Sequence, residues 1–186
     1  GVIYVQEPAA MAPAECIEIN PDWIVLDMCA APGGKSFAAA MDGAGSITSC
    51  DIHAHKTELI AKSAQRLGLS NITVCLQDAS ASREEWVGKM DVVIADVPCS
   101  GYGIIRKKPD IRYKDPDDMA RLPDIQLKIL YKQAEYVKPG GVLMYSTCTL
   151  VRRGNEGVVE KFLKQNPDFS VLPLSPSRAF YLSCFQ

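Results

Sequence analysis

Two cysteines follow apolar runs that have the character of buried strands. Cys99 comes just after the run 91–97, and Cys148 follows the run 141–147. Open α/β sheets place their chemistry at the carboxyl ends of their strands. A basic cluster lies downstream of each cysteine, and nearby positive charge favours a thiolate over a thiol and attracts a phosphate backbone. The pattern predicts two reactive thiols beside a surface that can contact phosphate groups.

A loop of small residues follows the first predicted strand, where a cofactor can approach the backbone at the start of a helix. It begins at Cys29 and continues through Ala30, Ala31, Pro32, Gly33, Gly34, Lys35 and Ser36. The NAD fingerprint is not met, because the two glycines are adjacent and no third glycine follows at the required place. The Walker A pattern matches at its final Gly-Lys-Ser, but a cysteine stands where its first glycine belongs. A phosphate cradle is therefore disfavoured.

Two acids after later strands favour a third cofactor, S-adenosylmethionine. Asp51 follows the second predicted strand and Asp78 follows the third. An acid at the end of the second strand commonly hydrogen-bonds a ribose hydroxyl. Each acid alone is better explained as a cap or turn residue. Together with the glycine loop they predict a site for S-adenosylmethionine.

The composition is that of one ordinary globular domain. The chain has 186 residues, 47% of them hydrophobic, and a formal net charge of -2, so any basic surface must be local. Seven cysteines without a C-x-x-C pair argue against structural disulfides and zinc, and we expect no metal. Four of them are expected to be buried apolar residues: Cys16, Cys50, Cys75 and Cys184. Without a membrane-length apolar run or an N-terminal leader pattern, we expect a cytoplasmic protein with no membrane partner, and a monomer.

Strand and helix patterns alternate along the chain and predict an α/β fold with a Rossmann-like, mostly parallel sheet of seven strands. The predicted strands are 23–29, 45–50, 71–77, 89–97, 142–147, 169–174 and 179–185. The predicted helices are 36–41, 53–67, 117–137 and 155–165. A short polar turn separates the last two strands, which are therefore expected to form a C-terminal antiparallel hairpin.

Three motifs together resemble a known family. They are Asp27-Met-Cys-Ala-Ala-Pro-Gly-Gly-Lys35, Asp96-Val-Pro-Cys-Ser-Gly101 and Tyr145-Ser-Thr-Cys-Thr149. In order and spacing they resemble the signature blocks of RNA cytosine-C5 methyltransferases, in particular the bacterial 16S ribosomal RNA enzymes of the Sun/Fmu type. The stretches 51–56, 66–69 and 103–113 support the narrower likeness. The resemblance implies a class I methyltransferase fold and a catalytic domain over residues 1–186.

The resemblance also implies the roles of the site residues. S-adenosylmethionine would be held by Cys29 to Lys35, Asp51, Asp78 and Asp96. A thiolate that adds to carbon 6 of cytosine turns the ring into an enamine, whose carbon 5 can then accept a methyl group. The family assigns this attack to Cys148 and assistance with release to Cys99, with Asp96 and Lys35 near the base. The residues alone do not choose between the two cysteines, because both follow strands and both have basic neighbours.

RNA, most specifically 16S ribosomal RNA, is the partner that the resemblance implies. The target base must be unstacked and drawn into a pocket beside the loops that follow the cysteines. The basic residues expected to contact its phosphates are Arg106, Lys107, Lys108, Arg112, Lys114, Arg152 and Arg153. Tyr102 and Tyr113 are candidates to stack on bases.

The sequence departs from the family pattern near its two ends. Family members carry an RNA-binding domain ahead of the catalytic core, whereas only residues 1–21 precede the first predicted strand here. The turn 175–178 is also shorter than the family's loop, so we expect a piece of a longer protein. Three other functions stay open: an inactive RNA-binding scaffold, a methyltransferase for a small molecule or a protein, and a P-loop ATPase. The first two would not need both thiols.

Overall fold

A parallel sheet with helices packed against it forms the centre of the computed structural model, which describes residues 3–6, 10–11, 13, 16–172 and 183–185. The parallel strands are β1 (Ile24–Asp27), β2 (Ser46–Asp51), β3 (Ile72–Leu76), β4 (Met90–Asp96) and β5 (Val137–Ser146). The helices are α1 (Gly34–Met41), α2 (Ala54–Leu67), α3 (Pro116–Ala134) and α4 (Glu156–Gln165). The strand order is β3-β2-β1-β4-β5. The order reverses between β1 and β4, and open sheets of this kind bind ligands at such a point.

Two short segments near the C-terminus extend the sheet beyond β5. Ser183–Phe185 (β7) pairs antiparallel with β5 and with Val171–Leu172 (β6). The predicted strands 169–174 and 179–185 include these segments. Residues 173–182 and 186 lie outside the described residues, so the turn of the predicted hairpin stays a prediction.

Most element boundaries fall within two residues of the predicted ones, but the prediction for the end of α3 and the start of β5 was wrong. The helix ends at Ala134 rather than at residue 137, and β5 begins at Val137 rather than at residue 142. Val137 already pairs with Met90, and the register then shifts so that Val142 pairs with Val92. The Pro-Gly-Gly run that ends a helix in many sequences here forms an irregularity inside a strand.

The core lies on both faces of the sheet, because successive residues of a strand point to opposite faces. Leu26 and Val93 pack on one face with α3 and α4, against side chains such as Leu130 and Phe162. On the other face, Val25 and Val92 pack with neighbours from α1 and β2. Burial on both faces is typical of parallel strands and fixes their carboxyl ends in space. In the described part of the chain, no helix combines the length and the apolar character needed to cross a membrane.

Candidate active site

The two predicted cysteines meet at the carboxyl edge of the sheet. β4 and β5 are parallel neighbours that end in register, with Asp96 opposite Ser146, so the loops that follow them lie side by side. The sulfur of Cys99 is 2.7 Å from the sulfur of Cys148, and both are thiols. The backbone N–H of Cys148 also donates to Cys99 Sγ at 3.2 Å. The structure therefore brings the two thiols into direct contact.

The contact between the thiols shifts their pKa values in opposite directions. The hydrogen bond from Cys148 lowers the pKa of Cys99 to about 7, and the backbone N–H groups of Cys148 and Gly101 act in the same direction. The same bond, followed by burial, raises the pKa of Cys148. As the pH rises through about 7 the pair loses its first proton from Cys99, while Cys148 keeps its own. The groups that mainly lower the pKa of Cys99 are the neighbouring thiol and the backbone amides, and a contribution from the basic clusters stays a prediction.

The two thiols differ in exposure and in the way that their loops are held. Cys148 is exposed and Cys99 is half-buried, so Cys148 is the more accessible of the two to solvent. The N–H of Gly103 donates to the carbonyl of Cys148 at 2.9 Å. A Cβ atom at Gly103 would lie 2.8 Å from that carbonyl oxygen, so glycine permits the approach. The hydroxyls of Ser100 and Thr149, which are 2.7 Å apart and buried, join the two loops beside the thiols.

Asp96 and Lys35, predicted as a pair near the target, form an ion pair at the same edge. Lys35 Nζ donates to Asp96 Oδ2 at 2.7 Å, and Ser146 Oγ donates to Asp96 Oδ1 at 2.7 Å. The lysine side chain is 12% exposed and the aspartate 33%. The Asp96 charge raises the pKa of both cysteines, although it is a minor contributor. The glycine loop, the ion pair and the thiols therefore form one continuous site.

The predicted cofactor loop is a tight turn from β1 into α1. Gly33 has φ +107° and caps the helix, and a Cβ atom there would collide with the ring of Phe37. The N–H of Ala30 donates to the carbonyl of Cys50 at 2.8 Å, which fastens the loop to β2. Burial raises the pKa of Cys29 far above its ordinary value, so Cys29 is a packed neighbour of the loop rather than a reactive thiol.

The two predicted cofactor-binding acids lie at the ends of neighbouring strands. Asp51 is the last residue of β2 and is 6% exposed. Its Oδ1 accepts from the His53 N–H at 3.0 Å and lies 3.7 Å from Lys56 Nζ. Asp78 follows β3, is exposed, and accepts from the Ser80 N–H at 2.8 Å. Asp51 is therefore held rigidly, whereas Asp78 is fixed mainly by its own turn.

Asp27 is a further candidate that we did not predict as a site residue, although it opens the first motif. It ends β1 under the glycine loop and is 1% exposed, and burial raises its pKa to about 7. Its Oδ2 accepts from Ser36 Oγ at 2.7 Å, and the Cys29 N–H also approaches the carboxylate. Oδ1 has no hydrogen bond of ordinary geometry within the described residues. The signal in the sequence was an acid at the carboxyl end of an otherwise apolar strand.

The predicted RNA-contacting residues fall into two groups with different surroundings. The first group is exposed on the loop between β4 and α3: Arg106, Lys107, Lys108, Arg112 and Lys114. Lys114 Nζ donates to the Ser100 carbonyl at 3.4 Å. In the second group, Arg152 pairs with Glu160 at 2.5 Å and Arg153 donates to the Ala120 carbonyl at 3.1 Å. The first group is thus exposed on its loop, and both arginines of the second group have a partner within the protein.

The remaining predicted residues show mixed outcomes. Tyr102 and Tyr113 are 39% and 88% exposed and remain available for stacking. Cys50 is buried as predicted, but Cys16 and Cys75 are only half-buried, and Cys75 Sγ accepts from Arg83 at 2.9 Å. The side chain of Cys184 lies outside the described residues. Over the part of the chain that the structure describes, no group of three or more His, Cys, Asp or Glu side chains is placed to hold a metal ion.

Comparison with known proteins identifies close relatives. The family model described as 16S rRNA methyltransferase RsmB/F matches residues 14–181. The probable ribosomal RNA small subunit methyltransferase B of Bacillus subtilis is 46% identical over 91% of this chain and 39% of that protein. The ribosomal RNA small subunit methyltransferase B of Thermus thermophilus is 38% identical over 92% of this chain and 42% of that protein. The crystal structure of NSun6 from Pyrococcus horikoshii with SFG has a TM-score of 0.83 and 25% identity, over 98% of this chain and 51% of that one.

These matches also show how much of each relative the chain covers. It spans 39% and 42% of the length of the two curated relatives. The part matched by the family model, residues 14–181, contains the five parallel strands, the glycine loop and both cysteine loops.

Proposed function

The chain belongs to the 16S rRNA methyltransferase RsmB/F family, and from this membership we propose that it methylates carbon 5 of a cytosine in RNA, with 16S rRNA as the substrate. The observation that carries the proposal is the contact of two thiols 2.7 Å apart beside the Lys35–Asp96 ion pair. Cytosine carbon 5 is a poor nucleophile until a thiolate has added to carbon 6, and a paired thiol can then assist in breaking that bond. The inactive scaffold and the P-loop ATPase do not need this arrangement.

S-adenosylmethionine is the methyl donor in this proposal, and when bound it would supply an electrophilic methyl group on a sulfonium. The backbone of the loop from Cys29 to Lys35 would lie against it, with Asp51 accepting from the ribose hydroxyls. Asp78 and Asp96 would complete the set of contacts. The buried Asp27 Oδ1 supports the fit, because it leaves an acceptor under the loop for an N–H group of the ligand or for an ordered water.

Attack on the base begins with a proton transfer between the thiols. The Cys99 thiolate takes the proton of Cys148 across the 2.7 Å contact. The exposed Cys148 sulfur then forms a bond to cytosine carbon 6, and the electron pair of the ring double bond moves towards N3. The Lys35–Asp96 pair supplies a proton or a hydrogen-bond donor where this charge develops.

Release reverses the addition after carbon 5 has been methylated. A general base removes the carbon 5 proton, and the carbon–hydrogen electron pair restores the double bond between carbon 5 and carbon 6. The Cys148 sulfur leaves carbon 6 with the electron pair of the carbon–sulfur bond and takes back the proton that Cys99 had accepted. Cys99 is placed to assist this step, because its sulfur already contacts the departing sulfur. Both cysteines therefore serve one cycle at different stages.

The RNA would lie over the loops that follow β4 and β5. The exposed group from Arg106 to Lys114 would contact phosphates, and Arg152 and Arg153 would contribute at the second loop. We further propose one catalytic domain, a seven-stranded sheet completed by a C-terminal antiparallel hairpin, and a cytoplasmic monomer.

Ligand binding and product analysis together test this function. Calorimetry should show binding of S-adenosylmethionine, with ATP and NAD much weaker, and mass spectrometry should find 5-methylcytidine in 16S rRNA after incubation with the protein and the methyl donor. Asp51→Ala should weaken donor binding by about 1 to 3 kcal/mol if charge-assisted bonds to the ribose are lost. Asp42→Ala, at an exposed acid after α1, is the matched control. Tight binding of ATP with no response to S-adenosylmethionine would refute the proposal.

A further inference from the structure

The side-chain amide of Asn155 holds the chain on both sides of Cys148. Its Nδ2 donates to the Thr149 carbonyl at 2.7 Å. Its Oδ1 accepts a short hydrogen bond from the Thr147 hydroxyl. The Thr149 N–H in turn points to the Thr147 hydroxyl at 3.5 Å. One amide therefore uses its donor and its acceptor to fix the two residues that flank the thiol.

Because its side chain makes these bonds, Asn155 does not have the capping role that asparagine usually has at the start of a helix. Asn155 is the N-cap of α4, where an asparagine side chain usually accepts from a backbone N–H of the first turn and contributes about 1 kcal/mol. In α4 the side chain makes no such capping bond. The helix starts without its side-chain cap, and the amide is directed to the turn that carries Cys148 instead. A residue selected for helix stability alone would not show this pattern.

The loop that presents Asn155 is itself fixed to the sheet. The Tyr145 hydroxyl donates to the Gly154 carbonyl at 2.6 Å, and the Asn155 N–H donates to the Arg152 carbonyl at 3.1 Å. A Cβ atom at Gly154 would lie 3.2 Å from Gln126 Oε1, so the loop packs closely on α3. Asn155 therefore acts from a rigid base, with the N–H of Gly103 holding the Cys148 carbonyl from the opposite loop.

We infer that Asn155 is a positioning residue, which sets Cys148 at the distance from Cys99 that allows the proton transfer and the attack. The inference rests on the proposed function, in which Cys148 is the nucleophile. Neither the family motifs quoted above nor the predicted site residues include Asn155. A displacement on the order of 1 Å at a reacting group lowers the rate about 100-fold. The two hydrogen bonds that Asn155 makes to the neighbours of Cys148 can therefore have a large effect on the rate.

Asn155→Asp separates this role from a role in the fold. Aspartate is a good N-cap residue and places negative charge at a helix N-terminus, so the thermal midpoint should be equal to that of the wild type or higher. The same change removes the donor to the Thr149 carbonyl and sets a carboxylate oxygen against it. We expect kcat for RNA methylation to fall by at least about 10-fold, with the KM for RNA and the affinity for S-adenosylmethionine unchanged.

A second readout does not depend on methylation. The rate at which iodoacetamide labels Cys148, resolved by peptide mass spectrometry as a function of pH, reports the proton shared with Cys99. Loss of the hydrogen bonds from Asn155 to Thr147 and Thr149 should change this profile. Asn166→Asp is the matched control, because Asn166 lies after the other end of α4 and its Nδ2 donates to the Phe162 carbonyl at 2.8 Å. The control should lose some stability and keep its activity and its labelling profile.

The outcomes are distinguishable. Wild-type kcat and an unchanged labelling profile in Asn155→Asp would overturn the inference and leave the proposed function intact. A fall in the thermal midpoint that parallels the fall in activity would also overturn it, because Asn155 would then serve the fold. If the wild type forms no 5-methylcytidine, the proposed function fails, and the labelling profile still decides whether Asn155 positions Cys148.

Discussion

Among single residues, the proposed mechanism depends on a proton that the sulfurs of Cys99 and Cys148 share. Their contact lowers the pKa of Cys99 to about 7 and raises that of Cys148. Above about pH 7 the negative charge therefore lies on the half-buried cysteine, while the exposed one keeps its proton. This division suits a pair in which Cys99 acts as the base and Cys148 attacks.

The shared proton predicts how the rate of adduct formation depends on pH. Raising the pH through about 7 creates the Cys99 thiolate, so the single-turnover rate of adduct formation should rise over that interval and then level off. In Cys99→Ala the acceptor is lost, and the rise should move to or above the ordinary cysteine value of about 8.5. Stopped reactions quantified on denaturing gels measure both profiles. An identical rise in the wild type and in Cys99→Ala would show that the contact between the thiols does not set the acidity.

Among the secondary-structure elements, the sequence predicted the meeting of the two cysteine loops better than it predicted the bounds of β5. The apolar runs 91–97 and 141–147 place both cysteines at the edge of a sheet. The alternation of strand and helix patterns along the chain predicts that the strands are mostly parallel. The start of β5 could not be read, because an irregularity at Pro139 and Gly140 has the same residues as a helix stop. The hydrogen bonds from Asn155 to Thr147 and Thr149 could not be predicted either, because an asparagine before a helix is expected to cap it.

The loop between β4 and α3 is the element that we expect to contact RNA phosphates. If it contacts phosphates, Arg106→Ala and Lys108→Ala should each weaken RNA binding and lower the slope of log affinity against log salt by roughly one, with donor affinity unchanged. Lys62→Ala on α2, where the lysine is exposed and pairs with Glu58, is the matched control and should keep the wild-type slope. Fluorescence anisotropy at several salt concentrations measures the effect. An unaltered slope in both loop variants would make the loop an ordinary solvated surface.

At the scale of the whole molecule, the sheet assembles three separate stretches of chain into one site. The glycine loop after β1, the ion pair of Lys35 with Asp96, and the thiols after β4 and β5 meet at the carboxyl edge because β1, β4 and β5 are neighbours. Strand order is not visible in local patterns, so this meeting was predicted only through the known behaviour of open sheets and the family resemblance. The proposed mechanism requires this meeting, because it uses both thiols in one covalent cycle.

Trapping of a protein–RNA adduct tests that claim most directly. The protein, 16S rRNA and S-adenosylmethionine are incubated, and covalent complexes are resolved by denaturing electrophoresis. At a pH above about 8.5, where Cys148 can ionise without Cys99 as its proton acceptor, Cys99→Ala can attack but is impaired in release, so it should accumulate a complex that survives denaturation. Cys148→Ala lacks the attacking sulfur, so it should form neither complex nor 5-methylcytidine, and Cys50→Ala, at a buried cysteine of β2, should behave as the wild type. A complex trapped by Cys148→Ala and not by Cys99→Ala would reverse the two roles, and normal turnover in both variants would contradict the covalent mechanism.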